Sequence, residues 1–291
     1  MMMDARILVT GANGQVGRAL RDLSGRHPEF GFVFLSREDM PIHHYEGMRN
    51  VIEAVKPFAL VNCAAYTAVD RAETEKDLAM TVNAEAPGIL ASLCREHGAR
   101  FIHLSTDYVF DGKANSPYRE EDPTAPTSVY GLSKREGERR ALESNPDSVV
   151  IRTSWVYFEH GKNFVKTMMR LMRDRERVGV VNDQFGSPTY AGDLAECILQ
   201  LLESSRWVPG VYHFSNEGDI AWHEFAVAIR DIIGSACKVD AITTEQYPTP
   251  APRPAYSVLD KRKIIETYGI RLVPWRESLA KCLSRIQAQE G

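Results

Sequence analysis

A chain of 291 residues is long enough for one large core or two coupled lobes. Its 35 basic and 39 acidic side chains leave a formal net charge of −4, which gives no basic field for nucleic acid. The longest apolar runs are strand-sized and residues 1–6 lack a signal-peptide core, so a soluble, cytoplasmic protein without a membrane span is expected.

Residues 6–10, Arg-Ile-Leu-Val-Thr, read as a short buried strand that runs directly into Gly11-Ala-Asn-Gly14-Gln-Val-Gly17 and then a helix from Val16 to about Leu23. Glycines at 11, 14 and 17 permit a tight turn, close backbone approach to a pyrophosphate and close packing of helix on strand. Phosphates would sit on the free N–H groups of the helix N-terminus. A Gly-rich triplet alone is weak evidence; preceded by an apolar strand and followed by an amphipathic helix, it predicts dinucleotide binding. The second strand, residues 31–35, is followed by Ser36 and Arg37. A hydroxyl next to a guanidinium suits the extra phosphate of NADPH. NADH is the alternative, because Glu38 and Asp39 follow at once.

Strand-like runs recur at residues 59–62, 100–104 and 148–152, and helix-like segments at 46–55, 76–97 and 129–143. This alternation predicts an α/β fold, a Rossmann-like doubly wound parallel sheet with ligands at the carboxyl ends of its strands. The chemistry-bearing residues fall at those ends: Asn62-Cys-Ala-Ala-Tyr-Thr-Ala-Val-Asp70 and Ser105-Thr-Asp-Tyr-Val-Phe110. On the helix over 129–143, Tyr130 and Lys134 are four residues apart and share a face. Alone, Tyr-x-x-x-Lys more often marks a solvated helix face. Downstream of a dinucleotide turn, it reads as a phenol whose proton passes to a ketone oxygen while an ammonium beside it favours the ionised form. Thr106 is expected within reach of Tyr130, completing a Thr/Tyr/Lys set.

From about Trp155 the pattern changes. Residues 1–154 are expected to form the NAD(P)-binding domain and 155–291 mainly a smaller, interwoven substrate-binding lobe, with segments returning to the first domain. The methionines of Asn163-Phe-Val-Lys-Thr-Met-Met-Arg-Leu-Met172 read as core filling at helical spacing. Residues 211–215 and 221–233 read as a further strand and helix. A Pro-rich loop over 246–254 brings Arg253 toward the ligand, and the tail after Arg285 is expected to fray. The five cysteines have no Cys-x-x-Cys spacing and read as reduced, packed thiols. The eight histidines, adjacent His43 and His44 included, lack a carboxylate pattern for zinc, and no metal site is assigned.

The segments quoted above, with Arg152-Thr-Ser-Trp-Val-Tyr157, Asn182-Asp-Gln-Phe-Gly-Ser-Pro-Thr189 and Arg253-Pro-Ala-Tyr-Ser257, resemble nearly end to end the dTDP-4-dehydrorhamnose reductase family of extended short-chain dehydrogenase/reductases. The resemblance implies an NADPH-dependent reduction of the C4 ketone of a dTDP-4-dehydro-6-deoxyhexose. Tyr130 would be the proton donor, Lys134 its activator and the anchor of the nicotinamide ribose, and Thr106 the partner that tunes the acid and contacts the sugar. Asn83, on the helix after Asp70, would help hold Lys134 through a water, or be a helix-surface amide. Gly14, Gln15 and Val16 would lie on the cofactor phosphates, with Ala65, Tyr66 and Thr67 lining the cofactor. Val69, Asp107 and Trp155 would contact the sugar nucleotide. By position, Asn163 at the start of its helix and Arg253 on the Pro-rich loop are further candidates, Arg253 through the diphosphate, with a solvated or structural role as its alternative. The chain departs from the family pattern at Met40-Pro41-Ile42, where an Asp near the adenine is usual. The alternatives are another nucleotide-sugar reductase or epimerase, and a non-catalytic NADP-binding regulatory subunit. A homodimer is one open assembly, and a magnesium requirement, known for some relatives, has no ligand cluster in the sequence.

Overall fold

Alternation of short β-branched or aromatic runs with amphipathic helices carries through the first half of the chain. The computed structural model describes residues 5–42 and 44–290; His43 lies outside them. In chain order come β1 (Ala5–Thr10), α1 (Gln15–Ser24), β2 (Phe30–Leu35), α2 (Tyr45–Val55) and β3 (Ala59–Asn62), then α3 (Val69–Ala72), α4 (Lys76–Met80), α5 (Ala86–Glu96) and β4 (Arg100–Thr106). The long α6 (Val129–Ser144) starts where the Ser128 hydroxyl accepts from the Gly131 N–H, and β5 (Val149–Thr153) follows it. The second half contains β6 (Val156–Tyr157), α7 (Phe164–Asp174), β7 (Arg177–Val181), β8 (Phe185–Gly186), β9 (Thr189–Tyr190), α8 (Ala191–Glu203) and β10 (Gly210–His213). It ends with β11 (Ile220–Ala221), α9 (Trp222–Ile233), β12 (Lys238–Ile242), α10 (Arg262–Tyr268) and α11 (Trp275–Glu290).

Six strands pair in parallel in the order β10-β5-β4-β3-β1-β2. The chain leaves β1 for β2 on one side and returns to β3 on the other, so the direction of winding reverses between β1 and β3. At such a switch point the loops part and leave a crevice beyond the strand ends. The sixth strand, β10, comes from beyond residue 154. Alternate side chains divide between two apolar layers: Leu8, Leu60 and Phe101 pack with Met48, Ile52, Leu90 and Leu93 of α2 and α5. Ile7, Val9, Val61 and Ile151 face a larger cluster that continues through Met168, Met169, Leu194 and Phe225 to Leu279 and Leu283.

Two elements differ from the sequence expectation. The helix over 76–97 is broken by a π turn, Thr81–Glu85, between α4 and α5. The tail does not fray at Arg285: α11 runs on to Glu290, with Ile286 buried in the core and Arg285 donating to Glu159 and to the Tyr190 hydroxyl. The methionines 168, 169 and 172 are core residues, and all five cysteines are free, four of them buried. Among the described residues no helix is long and apolar enough to cross a membrane.

Candidate active site

The turn after β1 passes through Gly11 at a φ of +64°, a region an L side chain rarely enters. A Cβ on Gly11 would lie 2.6 Å from the Ala64 nitrogen, and one on Gly17 would lie 2.5 Å from the Gly11 oxygen. The turn therefore touches the loop after β3, and α1 touches the turn. No side chain caps α1 at Gly14, so the first-turn N–H groups, Val16 and Gly17 among them, are left for an external acceptor. This backbone cradle fits a dinucleotide pyrophosphate. The Gln15 side chain is engaged elsewhere: its Nε2 donates to the Val156 oxygen at 3.1 Å and its Oε1 accepts from Asn163 Nδ2 at 2.9 Å.

At the end of β2 the Ser36 hydroxyl accepts from the N–H groups of Glu38 and Asp39, while Ser36 N–H donates to Asp39 Oδ2 at 2.8 Å. The bonds from Ser36 hold the Asp39 carboxyl below its usual range. Arg37 is exposed beside them. Met40 and Ile42 are buried in the core, so this end of the crevice offers packing and backbone rather than a carboxylate.

The loop carrying Ala65, Tyr66 and Thr67 is fixed by Asn83. Its Oδ1 accepts from Tyr66 N–H at 2.8 Å, and its Nδ2 donates to the Tyr66 oxygen and to Ser133 Oγ on α6, both at 3.0 Å. Asn83 thus joins the cofactor-side loop to the helix of Tyr130, and its direct bonds go to Tyr66 and Ser133 rather than to Lys134. It sits in the π turn, whose extra residue re-aims side chains relative to a regular helix.

Tyr130 and Lys134 lie on α6 over the end of β4. Burial pushes the Tyr130 phenol up to about 12, against the pull of the Thr106 hydroxyl, so at neutral pH it carries its proton. Burial pushes the Lys134 ammonium down to about 8, against the charge of Glu138. Lys134 Nζ donates to the Leu104 oxygen at 2.6 Å and lies 3.4 Å from His103 Nε2. Thr106 Oγ1 donates to Asp107 Oδ1 at 3.0 Å. Burial raises Asp107 to about 6 despite the Ser257 and Thr106 hydroxyls, and its Oδ2 has no hydrogen-bond partner among the described residues. That orphaned acceptor suits a substrate hydroxyl.

Beside Tyr108, which meets the Tyr130 ring edge to face at 5.6 Å, opens a cleft of about 610 Å³. Asp70, Arg253, Arg170, Arg175, Trp222 and Tyr247 are among its lining residues. Its basic and aromatic side chains suit an anionic, ring-bearing ligand. Arg253 Nη2 lies 2.9 Å from both oxygens of Asp70, next to Val69 at the start of α3. Trp155 and Asn163 stand apart from this lining. Trp155, at a φ of +48°, stacks on Trp222 with ring centres 3.5 Å apart; Asn163 caps α7 and reaches Gln15. The sequence reading missed Trp222, Tyr247, Arg170 and Arg175, which come from three separate segments, α7 with its C-cap, the start of α9 and the Pro-rich loop, and share no local pattern. It also missed Gly131 and Gly137, although two glycines inside a helix are a readable signal, since each needs a packing reason. Among the described residues one trio, His27, Glu29 and Glu203, brings possible metal ligands together, at the opposite, amino-terminal edge of β2. There His27 Nδ1 already bonds Glu203 at 2.6 Å.

Residues 5–288 match the family described as the RmlD substrate binding domain. The chain is 42% identical over 285 residues to the dTDP-4-dehydrorhamnose reductase of Aggregatibacter actinomycetemcomitans, covering 94% of this chain and 97% of that protein. It is 39% identical over 287 residues to a Streptomyces antibioticus protein described as a probable dTDP-4,6-dihydroxy-2-methyloxan-3-one 4-ketoreductase, covering 98% and 97%. The crystal structure of the Bacillus anthracis dTDP-4-dehydrorhamnose reductase in complex with NADP superimposes with a TM-score of 0.93 at 37% identity, over 97% of this chain and 100% of that one. A match of this length, with relatives this similar over nearly the whole chain, shows that the chain belongs to the RmlD family.

Proposed function

We propose that this protein reduces the C4 ketone of dTDP-4-dehydro-β-L-rhamnose to dTDP-L-rhamnose, with NADPH as the preferred reductant and Tyr130 as the proton donor. The observation that carries this reading is a buried, protonated phenol at Tyr130, with Thr106 and Lys134 at its side, between a dinucleotide cradle and a cleft lined by arginines and aromatics. The relative bound to NADP and the exposed Arg37 at the end of β2 favour NADPH over NADH.

When bound, the reduced dinucleotide supplies the hydride to C4. Tyr130 gives its proton to the carbonyl oxygen as that oxygen gains negative charge. The Thr106 hydroxyl, released from Asp107, donates to the same oxygen and helps hold it. The positive charge of Lys134 lowers the cost of the phenolate left behind. Asp107, Val69 and Arg253 would position the sugar nucleotide, and Gly11, Gly14, Val16, Gly17, Ala65, Tyr66 and Thr67 the dinucleotide. Trp155 would act by fixing Trp222 in the cleft wall, and Asn163 by holding the Gln15 side chain at the start of α1.

The test is loss of NADPH absorbance on adding dTDP-4-dehydrorhamnose to the native protein and to Tyr130→Phe. Turnover by the native protein with a kcat about 10²–10⁴-fold lower in the Phe variant is the expected result. No turnover by either protein, with NADPH still bound, would sink the reading. The Streptomyces antibioticus relative favours a second one, a different dTDP-4-keto sugar, and a higher kcat/KM for that sugar would establish it.

A further inference from the structure

The registers of β1, β3 and β4 set Leu8, Leu60 and Phe101 in one row and, two residues on, Thr10, Asn62 and His103 in the next. Side chains two apart on a strand share a face. The apolar layer of the sheet is therefore capped by a polar row. Thr10, Asn62, His103 and Lys134 are each at most 2% exposed, and they are joined end to end. Thr10 Oγ1 donates to Asn62 Oδ1 at 2.7 Å, Asn62 Nδ2 lies 3.1 Å from His103 Nδ1, and His103 Nε2 lies 3.4 Å from Lys134 Nζ.

One donor that cannot reverse fixes the direction of the row. The Ala64 N–H lies 3.3 Å from Asn62 Oδ1 and 3.4 Å from Thr10 Oγ1, and a backbone N–H only donates, so an NH₂ in place of that amide oxygen would meet it donor to donor. The Asn62 oxygen thus faces Ala64 and Thr10, and its NH₂ faces His103. An NH₂ aimed at Nδ1 requires a lone pair there, so the neutral imidazole carries its hydrogen on Nε2. Burial, and then the Lys134 charge, keeps His103 neutral well below its ordinary range. Its Nε2–H therefore points at Lys134 Nζ. An ammonium has only donors to set against that hydrogen, whereas a neutral amine can accept it.

We propose that Asn62 locks His103 as the Nε2–H tautomer, and that His103 is thereby a positioning residue that lowers the proton affinity of Lys134. The proposal deepens the reading of Tyr130 as proton donor and rests on it. Lys134 favours the Tyr130 phenolate only while it is charged, so its midpoint sets the alkaline limit of that help. Above that midpoint the Lys134 N–H proton passes to solvent, and the neutral amine accepts from His103 Nε2–H.

The titratable groups that face Lys134 are His103 from β4, Cys63 from the loop after β3, and Tyr130 and Glu138 one turn before and after it on α6. Burial holds the Cys63 thiol up at about 12, so it is uncharged at neutral pH. Glu138 is committed to Arg152, bonding its Nε at 2.9 Å and its Nη2 at 2.8 Å. His103 is the side chain in direct polar contact with the lysine nitrogen.

The test begins with the native protein without substrate, labelled with ¹⁵N-histidine and ¹³C-lysine for NMR. The shifts of His103 are expected to show Nε2 protonated and Nδ1 bare, and Lys134 to titrate near about 8. Asn62→Asp puts a carboxylate oxygen against Nδ1, forces the hydrogen there and turns the Nε2 lone pair toward Lys134. The Lys134 midpoint is expected to rise by about one pH unit, a tenfold change in proton affinity, and the alkaline limb of kcat to move up with it. That change also adds a charge, so His103→Gln, neutral and able to turn its amide oxygen to the ammonium, is the control and is expected to raise the midpoint too. An Nδ1–H tautomer in the native protein, or one midpoint shared by the native protein and the His103→Gln variant, overturns the proposal. Both readouts need no sugar, so they decide it even where failed turnover sinks the functional reading alone.

Discussion

Lys134 shows at the residue scale how a reactive group is bought with stability. Its nitrogen is buried, faces the Leu104 oxygen and His103, and has no carboxylate in hydrogen-bond contact among the described residues. Burial lowers it from an ordinary 10.5 to about 8, so between those values the unfolded chain binds more protons than the folded one. Native stability contributed by this group therefore rises as pH climbs from about 8 to 10.5 and is lost as pH falls back through that window. Lys134→Met, apolar and of similar length, is expected to unfold at higher urea than the native protein at neutral pH, by about 1–3 kcal/mol, and to lose activity. The gap should close as pH is raised above 8. Urea midpoints of the two proteins across that range check it; a variant less stable at neutral pH would count against burial as the dominant cause.

At the scale of elements, the site depends on how closely α6 lies against its neighbours. A Cβ on Gly131 would run into the Tyr108 oxygen, and one on Gly137 into the Asn83 oxygen in the π turn. Both obstacles are backbone, which cannot swing aside. Gly137→Ala gains about 1 kcal/mol of helix propensity and loses about 1–3 kcal/mol to overpacking. The methyl would also push Asn83, and with it Tyr66, away from α6. The expected outcome is a small fall in the urea midpoint and a larger fall in kcat/KM for NADPH; the reverse ranking would show that α6 can shift without disturbing the loop. The helix itself was legible: the helix-like segment over 129–143 and the Tyr130/Lys134 spacing predict its place and the face those two residues share. The π turn was not, because one extra residue in a helix leaves the apolar period nearly unchanged. Nor was the Thr10-Asn62-His103 row, since strand register is a property of pairing and no single strand contains it. For the end of α11, the polar tail residues hid Ile286, which follows Leu279, Cys282 and Leu283 into the core.

On the scale of the whole molecule, the alternation of strands and helices was enough to predict a doubly wound parallel sheet, while the cleft beside Tyr108 was not predictable, being assembled from segments far apart in sequence. Two contacts span that distance beside the site: Gln15 with Asn163, and Asp70 with Arg253. The second has a direct consequence for binding. Arg253 holds both Asp70 oxygens at 2.9 Å, and both residues line the cleft, so an incoming diphosphate must compete with a carboxylate for one guanidinium. The Asp70 side chain is 42% exposed, so the pair is screened by water and worth about 1 kcal/mol or less, whereas a bidentate bond to a diphosphate carries more charge. Arg253→Ala is therefore expected to raise KM for the sugar nucleotide by about tenfold or more, with KM for NADPH unchanged. Asp70→Asn removes the competing charge but leaves Arg253 in place, and is expected to leave KM for the sugar nucleotide equal or lower. If the Asn variant instead raises that KM as much as the Ala variant does, the ion pair positions the Pro-rich loop before binding, and Arg253 is an anchor of the loop rather than a ligand of the diphosphate.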